Sequence, residues 1–484
     1  MIPVCLPNRI VLTLEEGAAV EMPSFRPEMR NGGTVLDTNR VFLVLEETLA
    51  GLRSAMRGQG LGEPLVLSGE LFTAIPGCPV PVGEFLRGER PIPERGLTVC
   101  LVNGGGGGLG DGILFAPALR VLARRLRELT AGEVRLLVFS SLPLRTRAVL
   151  AGIPELVVRP MPMALAEYLG CDAVADLSGM LDDPAFHRSH MTDFALTRLG
   201  IDPGSVPDRE KRPVLHLEDR LPAGVAAALA ATRGRASGRP LVAVIFISSY
   251  TRTLPEAKAA SLLRRLAGEG WQPVLLFPEG HSAPAFMERH GLAEIAVDLS
   301  PASPGFREYF RLLAGMDAIV SVDTSAVHVG GALAKPTVAL FNSIDMDNRI
   351  RYSPSVHGIQ LRYRGRVCQA PCGLSKARAW VSAVLADGRE LRLECGYACD
   401  EAVDRQAILE EAGAAIRGID PGGDIAGQSA AIKARMADRF HARLSPCWDA
   451  CSEDEIVTAL HDLSGYRHGG NTETSSEVIH VGAE

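Results

Sequence analysis

The stretch DAIVSVDTSAVHVGGALAKPTVALF, residues 317–341, decides the fold. Its two apolar runs, Ala318–Val322 and Thr337–Phe341, have the length and composition of buried strands. The segment between them, residues 325–334, has the spacing of a helix. Two buried strands joined through a helix form a parallel β–α–β unit, so the stretch predicts a parallel sheet covered by helices.

The same alternation of strands and helices extends outward on both sides. It predicts two doubly wound α/β units in tandem, with a cleft between them that faces the carboxyl ends of the strands. Further strands are expected at 97–102, 134–139, 156–158, 173–177, 241–247, 274–277 and 295–298, and helices at 113–129, 256–268 and 306–314.

Length and pattern divide the chain into several parts, since 484 residues are too many for one hydrophobic core. The expected parts are a small, mostly β N-terminal domain (1–95), a Rossmann-like domain (96–217), a linker (218–239), a second Rossmann-like domain (240–360), a cysteine-rich and helical region (361–465) and a disordered tail (466–484).

Composition excludes some classes of protein. The net charge of −7 argues against a nucleic-acid partner, which normally meets a basic surface. The first ten residues lack the pattern of a signal peptide, and the longest apolar run, residues 241–247, is far too short to span a bilayer. We therefore expect no transmembrane segment, a cytoplasmic location, and cysteines that are reduced or metal-bound.

A glycine-rich segment, NGGGGGLGDG at 103–112, follows the first strand of the first unit. It formally satisfies G-x-G-x-x-G, but the next strand ends Phe139-Ser140-Ser141, without the carboxylate that binds a dinucleotide ribose. An NAD-dependent oxidoreductase is therefore disfavoured. Asp111 stands at the start of the following helix, where it can serve as the N-cap, as a carboxylate that faces a substrate, or as both.

The second unit carries a more specific pattern: Asp323-Thr324-Ser325, then His328, then Lys335-Pro336. It resembles the donor-binding segment of glycosyltransferase family 9, the bacterial heptosyltransferases, D-T-G/S-x-x-H-x-x-x-A-x-x-K-P. Thr324 and Ser325 are expected to cap the helix, whose N-terminal amides and dipole suit a diphosphate. His328 is expected either to contact the donor or to pack on the sheet, and the two interpretations are equally good.

Three other segments match this family. Gly108-Leu109-Gly110-Asp111 resembles its N-terminal motif, in which the aspartate is the proposed general base, and Gly108, Leu109 and Gly110 are expected to contact the donor. Residues 248–252 lie where the family has Ser/Thr and a Lys facing the donor phosphates; here Ser249 and Arg252 take those places. Glu279 lies where the family contacts the donor nucleoside.

Six cysteines form three C-x₃-C pairs: Cys368/Cys372, Cys395/Cys399 and Cys447/Cys451. This spacing favours a four-sulfur structural site for one iron or zinc ion, with disulfides as the alternative. The expected ligands are Cys368, Cys372, Cys395 and Cys447, with Cys399 a close alternative to Cys395. Cys447 is preferred to Cys451 because the family's closing segment, which this chain resembles, has isoleucine where Cys451 stands. No catalytic divalent metal is expected.

The resemblance implies a GT-B-like fold, with the acceptor on the first Rossmann-like domain and a nucleotide-sugar donor on the second. It implies inverting transfer of a sugar, with ADP-heptose favoured as donor, to a hydroxyl of a protein or glycan. The β-rich start and the cysteines are similar to the iron-containing autotransporter heptosyltransferases, which glycosylate serines of bacterial surface proteins, and a homo-oligomer is compatible with this. The alternatives are a lipopolysaccharide-type heptosyltransferase and a non-catalytic nucleotide- or partner-binding protein.

Overall fold

From residue 78 onward, the computed structural model of the chain describes 13 ranges, two of which are single residues. Before residue 78 it describes short strands and two single residues. The ranges are 78–103, 108–140, 142–178, 180, 183, 185–186, 188–217, 220–248, 252–365, 369–372, 378–396, 404–441 and 445–466. Ser249, Cys368 and residues 467–484, on which predictions were made, lie outside the described residues.

The described strands are, in chain order, β1 (Ile2–Cys5), β2 (Ile10–Thr13), β3 (Gly33–Leu36), β4 (Val41–Val44), β5 (Leu65–Val66), β6 (Val80–Pro81), β7 (Gly96–Val102), β8 (Glu133–Ser140), β9 (Leu156–Pro160), β10 (Met163–Ala164), β11 (Ala173–Asp176), β12 (Leu241–Ile245), β13 (Gln272–Leu275), β14 (Val297–Asp298), β15 (Ala318–Val322), β16 (Thr337–Phe341), β17 (Val356–Gln360), β18 (Tyr363–Arg364), β19 (Gln369–Ala370), β20 (Arg378–Val384) and β21 (Glu390–Gly396).

The described α-helices are α1 (Val82–Leu86), α2 (Leu109–Leu129), α3 (Pro143–Leu150), α4 (Leu165–Leu169), α5 (Met191–Arg198), α6 (Ala223–Ala236), α7 (Glu256–Gly268), α8 (Ala283–His290), α9 (Phe306–Ala314), α10 (Ser325–Ala332), α11 (Asp347–Ile350), α12 (Arg405–Arg417), α13 (Ile425–His441) and α14 (Glu453–Ser464). Short 3₁₀ turns include Asp208–Lys211 and Pro446–Ala450.

Two parallel sheets form the centre of the fold. The first has the strand order β6-β11-β7-β8-β9 and the second has the order β14-β13-β12-β15-β16-β17. Every neighbouring pair in both sheets is parallel. The predicted α/β class with parallel sheets is therefore confirmed.

Burial explains the strand sequences. All five residues of β12, β15 and β16 are buried, which is why these strands are continuous apolar runs and do not alternate. One apolar cluster contains residues of both sheets, for example Leu101 with Ile319 and Ala326, so the two units share a core.

The N-terminal strands join the first unit through β10. Strands β10, β4, β1 and β5 form an antiparallel sheet, and Met163 and Ala164 pair with Leu43 and Phe42. Because β10 follows the carboxyl end of β9, this sheet is attached at the edge of the first unit where its strands end.

The structure adds detail to two of the expected parts. The stretch expected to be a linker, perhaps helical, contains the helix α6, and Arg233 of this helix pairs with Asp317 of the second unit. The region 361–465 is two packing units. The β20–β21 hairpin with α12 and α13 has its own core, whereas α14 packs on the second sheet with Ile456 and Leu460 in that sheet's core.

Candidate active site

A buried ion pair marks the carboxyl edge of the second sheet. Asp323 directly follows β15, and its Oδ2 accepts a hydrogen bond from Arg252 Nη1 at 2.9 Å, with 4% of the Asp323 side chain and 17% of the Arg252 side chain exposed. Burial opposes ionisation of Asp323, but the charges of Arg252 and Arg349 outweigh it and lower the pKa of the carboxyl. Asp323 is therefore a buried carboxylate held ionised by guanidinium groups.

Hydrogen bonds hold the residues beside Arg252 at the carboxyl edge of the second sheet. Ser248 Oγ donates to the Asp323 carbonyl at 3.0 Å, and the Ser248 amide donates to Thr253 Oγ1 at 3.0 Å. These bonds fix both ends of the segment that carries Arg252 against the end of β15.

The helix that follows Asp323 begins without a side-chain cap. Thr324 is the N-cap residue of α10, but its side chain makes no capping hydrogen bond, so the predicted capping by Thr324 is wrong. Its extended backbone starts the helix, and the Ser325 side chain lies near the half-buried Tyr309. The N-terminal end of α10 therefore lacks the usual local oxygen acceptor, which suits an external anion.

Helix α2 starts opposite α10. It begins at Leu109, earlier than the expected residue 113, and its N-cap is Gly108, so Asp111 lies in the first turn and is not the cap. A Cβ at position 108 would lie 2.9 Å from Asp111 Oδ2. The carboxylate of Asp111 thus occupies space that any side chain at position 108 would need.

Gly110 allows the two helices to meet. A Cβ at this position would lie 2.6 Å from Cδ2 of His328 and 3.4 Å from the Cα of Ser325. The first unit's Asp111 and the second unit's Asp323 are thereby brought to one place, and both act electrostatically on His328.

His328 is a buried, neutral histidine. It is 5% exposed, and burial is the largest cause that lowers its pKa to about 4. Among the described residues no hydrogen-bond partner faces its Nδ1. The structure therefore combines the two interpretations of His328: the ring is packed in the interior, and it faces the Asp111 helix.

Arg349 was missed by the sequence analysis. It is 6% exposed in α11, after β16, and its charge acts on Asp323, Asp111 and Arg252. The sequence signal was the polar segment Asn342–Arg351 directly after a buried strand, since such segments lie at the edge where ligands bind in α/β sheets.

A second set of buried polar residues, beside this site, joins the two units. Asp193 Oδ2 of α5 accepts from the Tyr352 hydroxyl at 2.7 Å, and its Oδ1 lies 3.0 Å from Lys211 Nζ. The ring of His190 packs edge-on against Tyr352 at 4.5 Å, and burial lowers the pKa of His190 to about 3. These contacts fix the loop that follows Arg349 to the first unit.

Glu279 is not part of this cluster. It is exposed in the turn after β13, and the part of the chain that the structure describes provides no contact between it and Asp323 or Asp111.

Two of the predicted metal ligands lie beside the loop that follows β16. Cys447 is buried and its Sγ lies 3.5 Å from Asn342 Nδ2, while Cys372 Sγ lies 3.8 Å from the Ser343 carbonyl. Cys395 lies in β21 opposite Ala379, with its side chain outside the described part. Within the described residues no group of three or more metal-ligating side chains is found.

Cys451 differs from Cys447. It is half-buried, it packs against the core of the second sheet, and burial raises the pKa of its thiol to about 11. This placement agrees with its interpretation as a packing residue.

The sequence comparison matches a segment that contains most of the second unit to a known family. The sequence model of glycosyltransferase family 9 (heptosyltransferase) matches residues 205–376. Over this segment, about a third of the chain, the sequence is homologous to the glycosyltransferase family 9 heptosyltransferases. The match contains Arg252, Asp323, His328 and Arg349, whereas Asp111 lies before it.

Solved structures similar to this chain include several glycosyltransferases. The ADP-heptose lipopolysaccharide heptosyltransferase II of E. coli is 17% identical, with 56% of this chain and 92% of that chain covered and a TM-score of 0.41. A family 9 glycosyl transferase of Veillonella parvula is 14% identical, with 78% and 99% covered and a TM-score of 0.44.

A third similar structure is the iron-containing dodecameric glycosyltransferase TibC of enterotoxigenic E. coli, which is 15% identical, with 58% and 65% covered and a TM-score of 0.40. No curated protein sequence matches the chain. None of the described helices is both long and apolar enough to cross a membrane.

Proposed function

We propose that the chain transfers a sugar, with inversion, from a nucleoside-diphosphate donor to an acceptor hydroxyl, and that the donor is ADP-heptose. The observation that carries this proposal is the meeting of α2 and α10, where Gly110 contacts His328 and the charges of Asp111 and Asp323 converge. A carboxylate from one unit and a helix N-terminus from the other are the two parts that such a transfer needs.

Asp111 is the proposed general base. The acceptor hydroxyl gives its proton to the Asp111 carboxylate while its oxygen forms a bond to the anomeric carbon. The bond from that carbon to the diphosphate oxygen breaks on the opposite face, and its electron pair leaves with the nucleoside diphosphate. Positioned proton transfer of this kind contributes about 10²- to 10⁴-fold in rate.

The leaving diphosphate meets the second unit. Arg252 and the uncapped N-terminus of α10, with Thr324 and Ser325, stabilise the negative charge that develops there. Asp323 holds the Arg252 guanidinium in position and remains a proposed residue of the donor site. Ser249 and Glu279 remain proposed contacts for the phosphates and the nucleoside.

For the acceptor we propose a serine hydroxyl of a bacterial surface protein such as an autotransporter. Two sequence features support this choice over a lipopolysaccharide: the N-terminal strands that precede the first Rossmann-like unit, and the cysteine pairs of the C-terminal region. The antiparallel sheet attached through β10 lies at the edge of the first unit, where its parallel strands end.

The cysteines fit one structural iron or zinc ion. Cys372 and Cys447 approach the adjacent residues Ser343 and Asn342, so two thiols converge on the loop after β16, and thiolates are suitable ligands for either metal. Cys368 and Cys395 are the proposed remaining ligands. Bound there, the metal would tie the C-terminal region to the second unit.

The test is incubation of the purified protein with ADP-heptose and an autotransporter passenger domain, followed by mass spectrometry of the acceptor and measurement of ADP release. UDP- and GDP-sugars serve as alternative donors, and a passenger with its serines replaced by alanine serves as the control. A heptose adduct on the wild-type passenger alone supports the proposal. Stoichiometric binding of ADP with no turnover of any donor would instead indicate a non-catalytic nucleotide-binding protein.

A further inference from the structure

Arg349 is a buried cation whose charge is poorly compensated by direct contacts. Its residue is 6% exposed, and across the described part of the chain its side chain makes one hydrogen bond, from Nη1 to the Asn348 carbonyl at 3.0 Å. A guanidinium has five N–H donors, and buried charges are normally paired because desolvation is costly.

Arg349 interacts with residues of both units. Its guanidinium carbon lies 5.5 Å from the centre of the Phe186 ring, which belongs to the first unit, while Arg349 itself belongs to the second. Its strongest favourable electrostatic interactions are with Asp323 and then Asp111. Arg349 is therefore near enough to both carboxylates of the candidate active site to interact with their charges.

Neither carboxylate is an adequate partner. Asp323 is already hydrogen-bonded to Arg252 at 2.9 Å, and no ion pair within 4.0 Å joins Arg349 to any carboxylate in the described ranges. Counting charges, Arg252 and Arg349 balance Asp111 and Asp323, and His328 is neutral near pH 7 because burial lowers its pKa to about 4. The positive N-terminal end of α10 has neither a side-chain cap nor an acidic residue in its first turn.

We infer that Arg349 is a second guanidinium of the donor site and binds the diphosphate of the nucleoside-diphosphate sugar directly. This inference rests on the proposed function and adds to it a contact residue. A diphosphate between α10 and Arg349 supplies the acceptor oxygens that the guanidinium lacks, and the charge that grows as the diphosphate leaves strengthens the interaction.

The neighbouring contacts explain how Arg349 is held. Tyr352, three residues later, is fixed by Asp193 and by the ring of His190, both from the first unit. A guanidinium held from both units is preorganised, so binding does not require it to give up an existing ion pair.

The experiment compares ADP with adenosine by calorimetry, for the wild type, Arg349→Gln and Arg349→Lys. Arg351→Gln is the matched control, because Arg351 lies on the same loop and is exposed. We expect Arg349→Gln to weaken ADP binding about tenfold or more, while adenosine binding changes little, since hydrogen bonds to charged groups are of that magnitude. A purely structural role would weaken both ligands alike.

Arg349→Lys keeps the charge and is expected to recover part of the ADP affinity. If Arg349→Gln binds ADP as tightly as the wild type, or if a folded Arg349→Lys protein binds no better than Arg349→Gln, the inference is overturned while the proposed function stands. If the wild type binds neither ADP nor another nucleoside diphosphate, the proposed function itself fails, and this inference fails with it.

Discussion

Arg252 and Asp323 form a buried ion pair at the carboxyl edge of the second sheet, with Nη1 and Oδ2 2.9 Å apart. This relationship changes the role expected of Arg252, which the sequence presented only as a substitute for a phosphate-binding lysine. In the structure the guanidinium has a fixed anionic partner, so its orientation is set before any ligand arrives. Loss of either partner leaves an uncompensated charge in the interior.

The pair gives a prediction that separates stability from donor binding. Arg252→Ala should lower the free energy of unfolding by about 3–5 kcal/mol, the usual cost of removing one member of a buried pair. It should also weaken ADP binding. Arg252→Ala combined with Asp323→Asn should recover much of the stability, measured by urea denaturation, without restoring ADP affinity.

Arg252→Lys provides the chemical control. It should keep part of both the stability and the ADP affinity, because a lysine retains the charge but not the planar geometry of the guanidinium. Normal ADP affinity in Arg252→Ala would remove Arg252 from the donor site.

The second prediction concerns the proposed base. Asp111→Asn should reduce the turnover number by about 10²- to 10⁴-fold, with ADP affinity within a few-fold of the wild type, because the side chain acts on the acceptor and not on the donor. Asp347→Asn is the control, as Asp347 is an exposed carboxylate in α11. Near-normal turnover in Asp111→Asn would leave Asp111 as a residue of the first helical turn without a chemical role.

The sequence was sufficient for the parts of the site that lie next to strands. Asp323 and Arg252 follow buried apolar runs, and such runs predict strand ends well. The sequence was less informative where tertiary contacts decide. The extension of α2 back to Leu109 depends on its packing against α10, because glycines at its start have low intrinsic helix propensity.

Arg349 and the Asp193–Tyr352 contact were not predictable in the same way. The residues involved are separated by more than 150 positions in the chain, as Asp193 and Tyr352 are 159 apart. No local pattern relates such residues, and their pairing appears only when both units are folded against each other.

The third prediction is an acid sensitivity of the folded state. Burial lowers the pKa of His328 to about 4 and that of His190 to about 3, whereas an unfolded histidine has a pKa of about 6.5. Below pH 6.5 the unfolded chain therefore binds protons that the folded chain does not. Stability falls as the pH decreases through this range, by about 2 kcal/mol per histidine between pH 8 and pH 5.

Urea denaturation at pH 8 and pH 5 measures this loss. His328→Gln should remove about half of the stability loss that the two buried histidines cause together. His357→Gln, which changes an exposed histidine, should leave that loss unchanged. An equal pH dependence in wild type and His328→Gln would show that His328 is not protected from protonation.

The fourth prediction concerns the cysteine site. Purified protein should carry about one iron or zinc ion per chain, and Cys372→Ser or Cys447→Ser should lower metal content and melting temperature together. Cys451→Ser should retain the metal, because Cys451 packs against the second core. Stoichiometric metal in Cys447→Ser, measured by plasma mass spectrometry, would remove Cys447 from the ligand set.

The last prediction tests the contact that unites the site. Gly110→Ala places a methyl group 2.6 Å from Cδ2 of His328, closer than van der Waals contact allows, so α2 must move away from α10. Because Asp111 is the next residue of α2, the same movement displaces its carboxylate from the donor side. We expect the turnover number to fall by a larger factor than the ADP affinity. The fall should be at least as large as any loss of folded protein would explain.

Gly234→Ala is the matched control, since position 234 lies in α6 and nothing is within 4 Å of its Cβ. There alanine should be neutral or stabilising by about 0.5–1 kcal/mol, as expected for glycine replacement in a helix. Shortening the opposing side chain, in Gly110→Ala combined with His328→Ala, should restore part of the turnover lost in Gly110→Ala if crowding is the cause. A double variant no better than the worse single variant would show that His328 itself is needed, and that the close approach of the two helices is not the only reason for glycine at position 110.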